Sequence, residues 1–148
     1  MNSGSHAIAS AMGGTGPASV GYRLAVWVFA VLVLLQAILA GQFLNGHGFL
    51  IRVHRAVGAQ ILPALALAIF VFTLVPRRKW RGRTFVVVAG SQLFLTVVQT
   101  GLGFAGRTRP AAAAIHVPIG VAIFGLTVLN LVLVYRRPAR AGPEAAVV

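Results

Sequence analysis

Four long apolar segments dominate the chain, and short runs of polar and charged residues separate them. The segments cover about residues 20–44, 49–75, 84–105 and 111–135. Each is longer than the roughly 20 residues with which a helix crosses a hydrocarbon layer about 30 Å thick. The pattern therefore predicts an all-α fold, an integral membrane four-helix bundle built from two repeated helical hairpins.

The two ends of the chain differ from this pattern. Residues 1–19 are rich in glycine, serine and alanine and have no hydrophobic period, so we predict a disordered N-terminal tail. Residues 20–137 are expected to form the transmembrane bundle, and residues 138–148 a flexible C-terminal tail.

Composition agrees with a membrane protein. Hydrophobic residues make up 58% of the 148 residues and charged residues only 9%, whereas soluble domains carry about 25% charged residues. The net charge of +12 does not indicate nucleic-acid binding, because the basic residues form short clusters between the apolar segments. We expect the lipid bilayer as the principal partner and no nucleic acid.

The basic residues also predict an orientation. With both termini in the cytoplasm, nine of the thirteen lysines and arginines lie inside, and four lie outside, namely Arg52, Arg55, Arg107 and Arg109. Positive charge is enriched on the cytoplasmic side of membrane proteins. We therefore predict a multi-pass protein of the cell (cytoplasmic) membrane with both termini cytoplasmic.

Several kinds of site are excluded by what the chain lacks. It has no cysteine, so it contains no disulfide, iron–sulfur cluster or thiolate zinc site. Its one acidic residue, Glu144, lies near the C-terminus, so no apolar segment holds a carboxylate. Both methionines belong to the N-terminal tail. Histidine is the remaining candidate metal ligand within the bundle.

The two halves of the chain repeat a three-residue unit. A glutamine in the outgoing helix is followed 17 or 18 residues later by a histidine near the start of the returning helix, and a glycine comes four residues after the histidine. The units are Gln36, His54 and Gly58 in the first half and Gln99, His116 and Gly120 in the second. Two parallel hairpins would bring the histidines to similar depth. Each glycine lies about one helical turn from its histidine and leaves a gap beside the imidazole.

This repeat favours a haem between the two histidines. His54 and His116 can supply both axial ligands of a six-coordinate b-type haem near the outer face, and Gly58 and Gly120 make room for the porphyrin. The outer arginines, Arg52, Arg55, Arg107 and Arg109, can pair with its propionates. His47 competes with His54 as a ligand, because it lies two helical turns before it.

The function indicated is electron transfer or haem handling, with a redox partner or a larger membrane complex. The alternative is a non-catalytic membrane subunit or scaffold without a cofactor, whose histidines only pack or bind a partner. The stripe Gln92, Thr96 and Gln99 is typical of hydrogen bonding between membrane helices, and a quinone there is a further alternative. Enzymatic activity is left open.

The chain resembles one four-helix half of the haem A synthase family over about residues 22–137. The similarity lies in His54-Arg55 followed by a helix with small residues, and in Ile115-His116-Val117 at the opening of the last helix. It also resembles small four-span bacterial membrane proteins with the same histidine layout. The family resemblance implies one histidine ligand from the second helix and one from the fourth. Residues 45–52 lack the glutamate that it calls for in the first outer loop, so it does not extend to hydroxylation of a farnesylated haem.

Overall fold

The computed structural model describes residues 17–74 and 83–135. Most of the predicted N-terminal tail, the basic cluster that follows the second apolar segment, and the C-terminal tail lie outside the described residues. The described chain forms α1 (Pro17–Leu44), α2 (Leu50–Ala56), a π-helical turn (Val57–Ile61), α3 (Leu62–Leu74), α4 (Arg83–Ala105) and α5 (Pro110–Tyr135). The helix α2, the π turn and α3 form one continuous second span.

The predicted fold class is confirmed. Within the described residues, four helical segments are long and apolar enough to cross a membrane: Val20–Leu44, Leu50–Leu74, Arg83–Ala105 and Pro110–Tyr135. They agree with the four predicted segments to within about one residue at each end, and the described part of the chain contains no strand. The protein is therefore an all-α membrane protein.

The start of α1 differs slightly from the prediction. The helix begins at Pro17, three residues before the predicted start of the first span. Proline is well suited to the first turn, because the N–H group that it lacks has no partner there in any helix. The apolar pattern, which begins at Val20, did not reveal this additional turn.

The four spans pack in a ring, in which each span contacts two neighbours. The first packs against the second, the second against α4, α4 against α5, and α5 against α1. Short turns at residues 45–49 and 106–109 each connect the two helices of one hairpin, and both lie at the same end of the bundle, which we call the histidine end. The opposite end, with the start of α1 and the end of α5, is the terminal end.

A buried polar network holds the terminal end together. The Tyr22 hydroxyl donates a hydrogen bond of 2.8 Å to Asn130 Oδ1, and Asn130 Nδ2 lies 3.5 Å from Gln92 Oε1. All three side chains are buried. Close to the surface, Trp27 Nε1 donates to the Tyr135 hydroxyl at 3.0 Å. These contacts join α1 to α5 and α5 to α4, which is the role predicted for polar residues inside a membrane bundle.

The second span is interrupted by the π turn that precedes Pro63. The Leu62 N–H group bonds the carbonyl of Val57 rather than that of Gly58, and Pro63 has no N–H group to offer. The carbonyl of Gly58 thus loses both donors that its own helix could supply. The Thr100 hydroxyl of α4 donates to it instead, at 3.2 Å, and so joins the second span to α4.

Candidate cofactor site between two histidines

The bundle brings His54 of the second span and His116 of α5 together. Their ring centroids lie 6.3 Å apart, and the ring planes are inclined by 59°. A metal–imidazole bond is about 2.0–2.1 Å and a ring nitrogen lies about 1.1 Å from the ring centre, so two imidazoles on opposite sides of one metal have centres roughly 6 Å apart. The separation of the two rings therefore suits ligation of a single metal ion.

The same backbone contact orients each histidine. The Nδ1 atom of His54 lies 3.2 Å from the carbonyl oxygen of Gln36, and that of His116 lies 3.1 Å from the carbonyl oxygen of Gln99. Because a carbonyl oxygen only accepts, Nδ1 carries the proton in both rings. The lone pair is then on Nε2, which is the arrangement typical of metal-binding histidines.

The two glycines lie against the side chains of the same glutamines. A Cβ atom added to Gly58 would lie 3.2 Å from Gln36 Oε1, and one added to Gly120 would lie 3.2 Å from Gln99 Nε2. Either contact would be tight, so glycine at both positions lets a glutamine amide approach the facing helix. That the glycines also make room for a porphyrin stays a prediction.

A cavity of about 670 Å³ lies at the histidine end, lined by both histidines, both glycines and both glutamines. Its volume is within the range of about 300–1,000 Å³ that small-molecule sites occupy. Most of the remaining wall is apolar, with Phe29, Leu62 and Ile123 among its residues. Gln36 Nε2 and Gln99 Oε1 are buried and have no hydrogen-bond partner within the described residues.

Two of the four arginines that are predicted to lie outside line this cavity. Arg55 and Arg107 belong to its wall, whereas Arg52 and Arg109 do not; all four are exposed. The Arg107 guanidinium carbon lies 4.8 Å from the centre of the Phe104 ring, which also lines the cavity. No Asp or Glu occurs in the described part of the sequence. This part of the chain therefore offers no carboxylate side chain that could neutralise the arginines.

The competing ligand, His47, lies outside the cavity wall. It is exposed in the turn between α1 and α2, where its carbonyl accepts a hydrogen bond from the Leu50 N–H group. Of the two candidate ligands in the first half, His54 is the one that lines the cavity.

A bare metal ion would find too few ligands here. Within residues 17–74 and 83–135, no group of three or more His, Cys, Asp or Glu side chains could hold one. No protein-family model, curated protein or solved structure matches the chain. The functional assignment therefore depends on the geometry of the site itself.

Two further residues shape the site and were not among the predicted site residues. A Cβ atom on Gly103 would lie 3.2 Å from Cε1 of His116, and the Phe43 ring contacts His54 edge-on at a centroid distance of 5.9 Å. Gly103 is four residues after Gln99, and Phe43 is seven after Gln36. Both therefore lie on the glutamine face of their helices, and helical periodicity could have identified them.

Proposed function

We propose that the protein is a membrane b-type haem-binding protein that serves electron transfer or haem handling, with a redox partner or a larger membrane complex. His54 and His116 would hold the haem at the histidine end of the bundle, which the distribution of basic residues predicts to lie at the outer face. One observation carries the proposal. Two imidazoles with carbonyl-bound Nδ1 atoms lie 6.3 Å apart in the wall of a cavity of about 670 Å³.

The number of ligands favours haem over an isolated metal ion. A structural zinc site takes four protein ligands and a catalytic one takes three, and the described residues offer no such group. A haem supplies the four equatorial nitrogens itself and requires only axial ligands from the protein. Two histidines on different helices are sufficient for that purpose.

Each group in the wall has a definite task toward the haem. The carbonyls of Gln36 and Gln99 hold the two imidazoles in one tautomer and one direction, and they raise the basicity of Nε2. Arg55 and Arg107 can bind the propionates through charge-assisted hydrogen bonds. The apolar wall would limit water near a bound haem and thereby influence its reduction potential. The haem, when bound, supplies one-electron chemistry.

Three single substitutions test the ligand assignment. We expect His54→Ala and His116→Ala each to convert a six-coordinate low-spin spectrum into a five-coordinate one or to abolish haem binding, because each removes one axial ligand. Free imidazole should restore the six-coordinate spectrum where haem is retained. His47→Ala is the matched control and should leave the spectrum unchanged. Loss of the spectrum in His47→Ala, with His54→Ala intact, would contradict the assignment. Absence of any haem spectrum in the parent protein would favour the subunit or scaffold.

A further inference from the structure

The two halves of the cavity correspond residue by residue, and this allows them to be compared. Gln99 lies 63 residues after Gln36, so that Thr100 in α4 occupies the position of Ala37 in α1. In the returning helices, the histidine and the glycine of the second half lie 62 residues after those of the first. The differences between equivalent positions show where the cavity departs from two-fold symmetry.

One side of the cavity is closed by a hydrogen bond that the other side lacks. Between the second span and α4, the Thr100 hydroxyl donates to the Gly58 carbonyl at 3.2 Å. The equivalent residues between α1 and α5 are Ala37 and Gly120, and alanine has no hydroxyl to donate. The side-chain hydrogen bonds that join α1 directly to α5, such as that from Tyr22 to Asn130, lie at the terminal end instead.

Exposure follows the same asymmetry. Val121 of α5 is 67% exposed, whereas its equivalent in the second span, Ala59, is half-buried. Both residues line the cavity. Ala37 is likewise exposed where Thr100 is half-buried. These positions lie within the membrane-spanning segments, so the exposed side of the cavity faces lipid. The cavity is therefore open toward the bilayer between α1 and α5.

The two sides also differ in charge. Arg55 and Arg107 line the cavity on its closed side, between the second span and α4. Their equivalents on the open side, between α1 and α5, are Val117 and Leu44. Both of these apolar residues line the cavity and are highly exposed, at 67% and 78%. One rim of the cavity is thus cationic and the opposite rim is apolar.

We infer that the cavity fixes the direction of its haem: the propionates lie at Arg55 and Arg107, and the opposite, apolar edge faces the bilayer through the opening between α1 and α5. This inference rests on the proposed function and deepens it. A haem is amphiphilic in the same sense as the cavity, because two anionic groups project from one edge of an apolar macrocycle. In this direction its apolar edge meets lipid, and its charged edge meets cations that compensate for the desolvation of the propionates.

The lateral opening can be tested without haem. The chain has no cysteine, so Val121→Cys and its symmetry-equivalent control Ala59→Cys each carry a single thiol for a fluorescent label. The labelled proteins are placed in phosphatidylcholine vesicles containing a lipid with a nitroxide on its acyl chain. We expect several-fold stronger quenching at position 121 than at position 59. Equal quenching at the two positions would overturn the opening between α1 and α5.

The direction of the haem can be tested with haemin and haemin dimethyl ester, which lacks the anionic groups but can still take two axial ligands. We expect Arg55→Gln and Arg107→Gln each to weaken haemin binding about tenfold or more, since each removes a charge-assisted contact. Ester binding should be unchanged, which also shows that the variants are folded. Arg52→Gln and Arg109→Gln, which alter arginines outside the cavity wall, are the matched controls.

The outcomes separate this inference from the proposed function. Equal weakening of haemin binding in all four arginine variants, or a parallel loss of ester binding, would overturn the assigned direction while leaving bis-histidine ligation in place. If neither haemin nor its ester gives a six-coordinate spectrum with the parent protein, the proposed function fails, and the direction of the haem fails with it.

Discussion

Replacing Thr100 by valine should destabilise the bundle measurably, because it removes the donor that satisfies the Gly58 carbonyl. Valine has nearly the shape of threonine but no hydroxyl. The single hydroxyl proton of Thr100 is shared between the Gly58 carbonyl, at 3.2 Å, and the carbonyl of Thr96 in its own helix, at 3.0 Å. The Gly58 carbonyl has no replacement donor within its own helix, because Leu62 bonds Val57 and Pro63 has no N–H group.

The expected loss follows from the measured range for membrane helices. Hydrogen bonds between such helices contribute about 0.6 kcal/mol on average and up to about 1.7 kcal/mol. Since Thr100→Val leaves a carbonyl unsatisfied inside the bundle, we expect about 1–1.7 kcal/mol. Thr127→Val is the matched control. Its hydroxyl is fully buried but donates only to Ile123 in its own helix, at 2.7 Å. That carbonyl can keep its helical N–H donor, so the control should cost less stability than Thr100→Val.

A second substitution makes the argument specific to the π turn. Pro63→Ala supplies the missing N–H group, which gives the Gly58 carbonyl a donor from its own helix. The cost of Thr100→Val should then fall by about 0.5 kcal/mol or more in the Pro63→Ala background. Reversible unfolding in mixed detergent micelles, followed by circular dichroism, measures all four members of this cycle. The same cost for Thr100→Val in both backgrounds would refute the reasoning, as would a cost no larger than that of Thr127→Val.

Two other predictions concern topology and the glycines. A membrane-impermeant thiol reagent added outside should label single cysteines introduced at residues 46–48 but not those at 75–82, because the basic residues place the latter in the cytoplasm; the reverse pattern would contradict this orientation. Gly120→Leu should lower haem occupancy, because even its Cβ would lie 3.2 Å from Gln99 Nε2 and the rest of the side chain would enter the cavity. Gly125→Leu, where a Cβ meets nothing within 4 Å, should keep full occupancy; equal occupancy in the two variants would exclude a special role for Gly120.

The fold was predictable because the apolar pattern alone determines where spans begin and end. Pro63 withholds an N–H group from the second span, but the sequence could not show that a π turn would precede it. The Gly58 carbonyl, which has no donor in its own helix, accepts a hydrogen bond from Thr100, a residue 42 positions later on another helix. A contact of this kind depends on how the helices pack.

The site was predictable in its repeat and unpredictable in its details. The spacing of glutamine, histidine and glycine was visible in both halves. The spacing could not reveal that the backbone of each glutamine binds a histidine while its side chain lies against a glycine. Charge counting grouped the four outer arginines together, and packing separated Arg55 and Arg107, which line the cavity, from the other two. The replacement of Thr100 by Ala37 at the equivalent position is visible in the sequence, but only packing shows that the Thr100 hydroxyl meets the Gly58 carbonyl.

The absorption spectrum of the purified protein, recorded with its haem stoichiometry after supplementation with haemin, tests the central proposal most directly. Two imidazoles 6.3 Å apart with Nε2 available predict one b-type haem per chain, six-coordinate and low-spin in both the oxidised and the reduced state. A protein that remains colourless would contradict the proposal. A haem whose spectrum is high-spin and does not respond to His54→Ala or His116→Ala would contradict it as well.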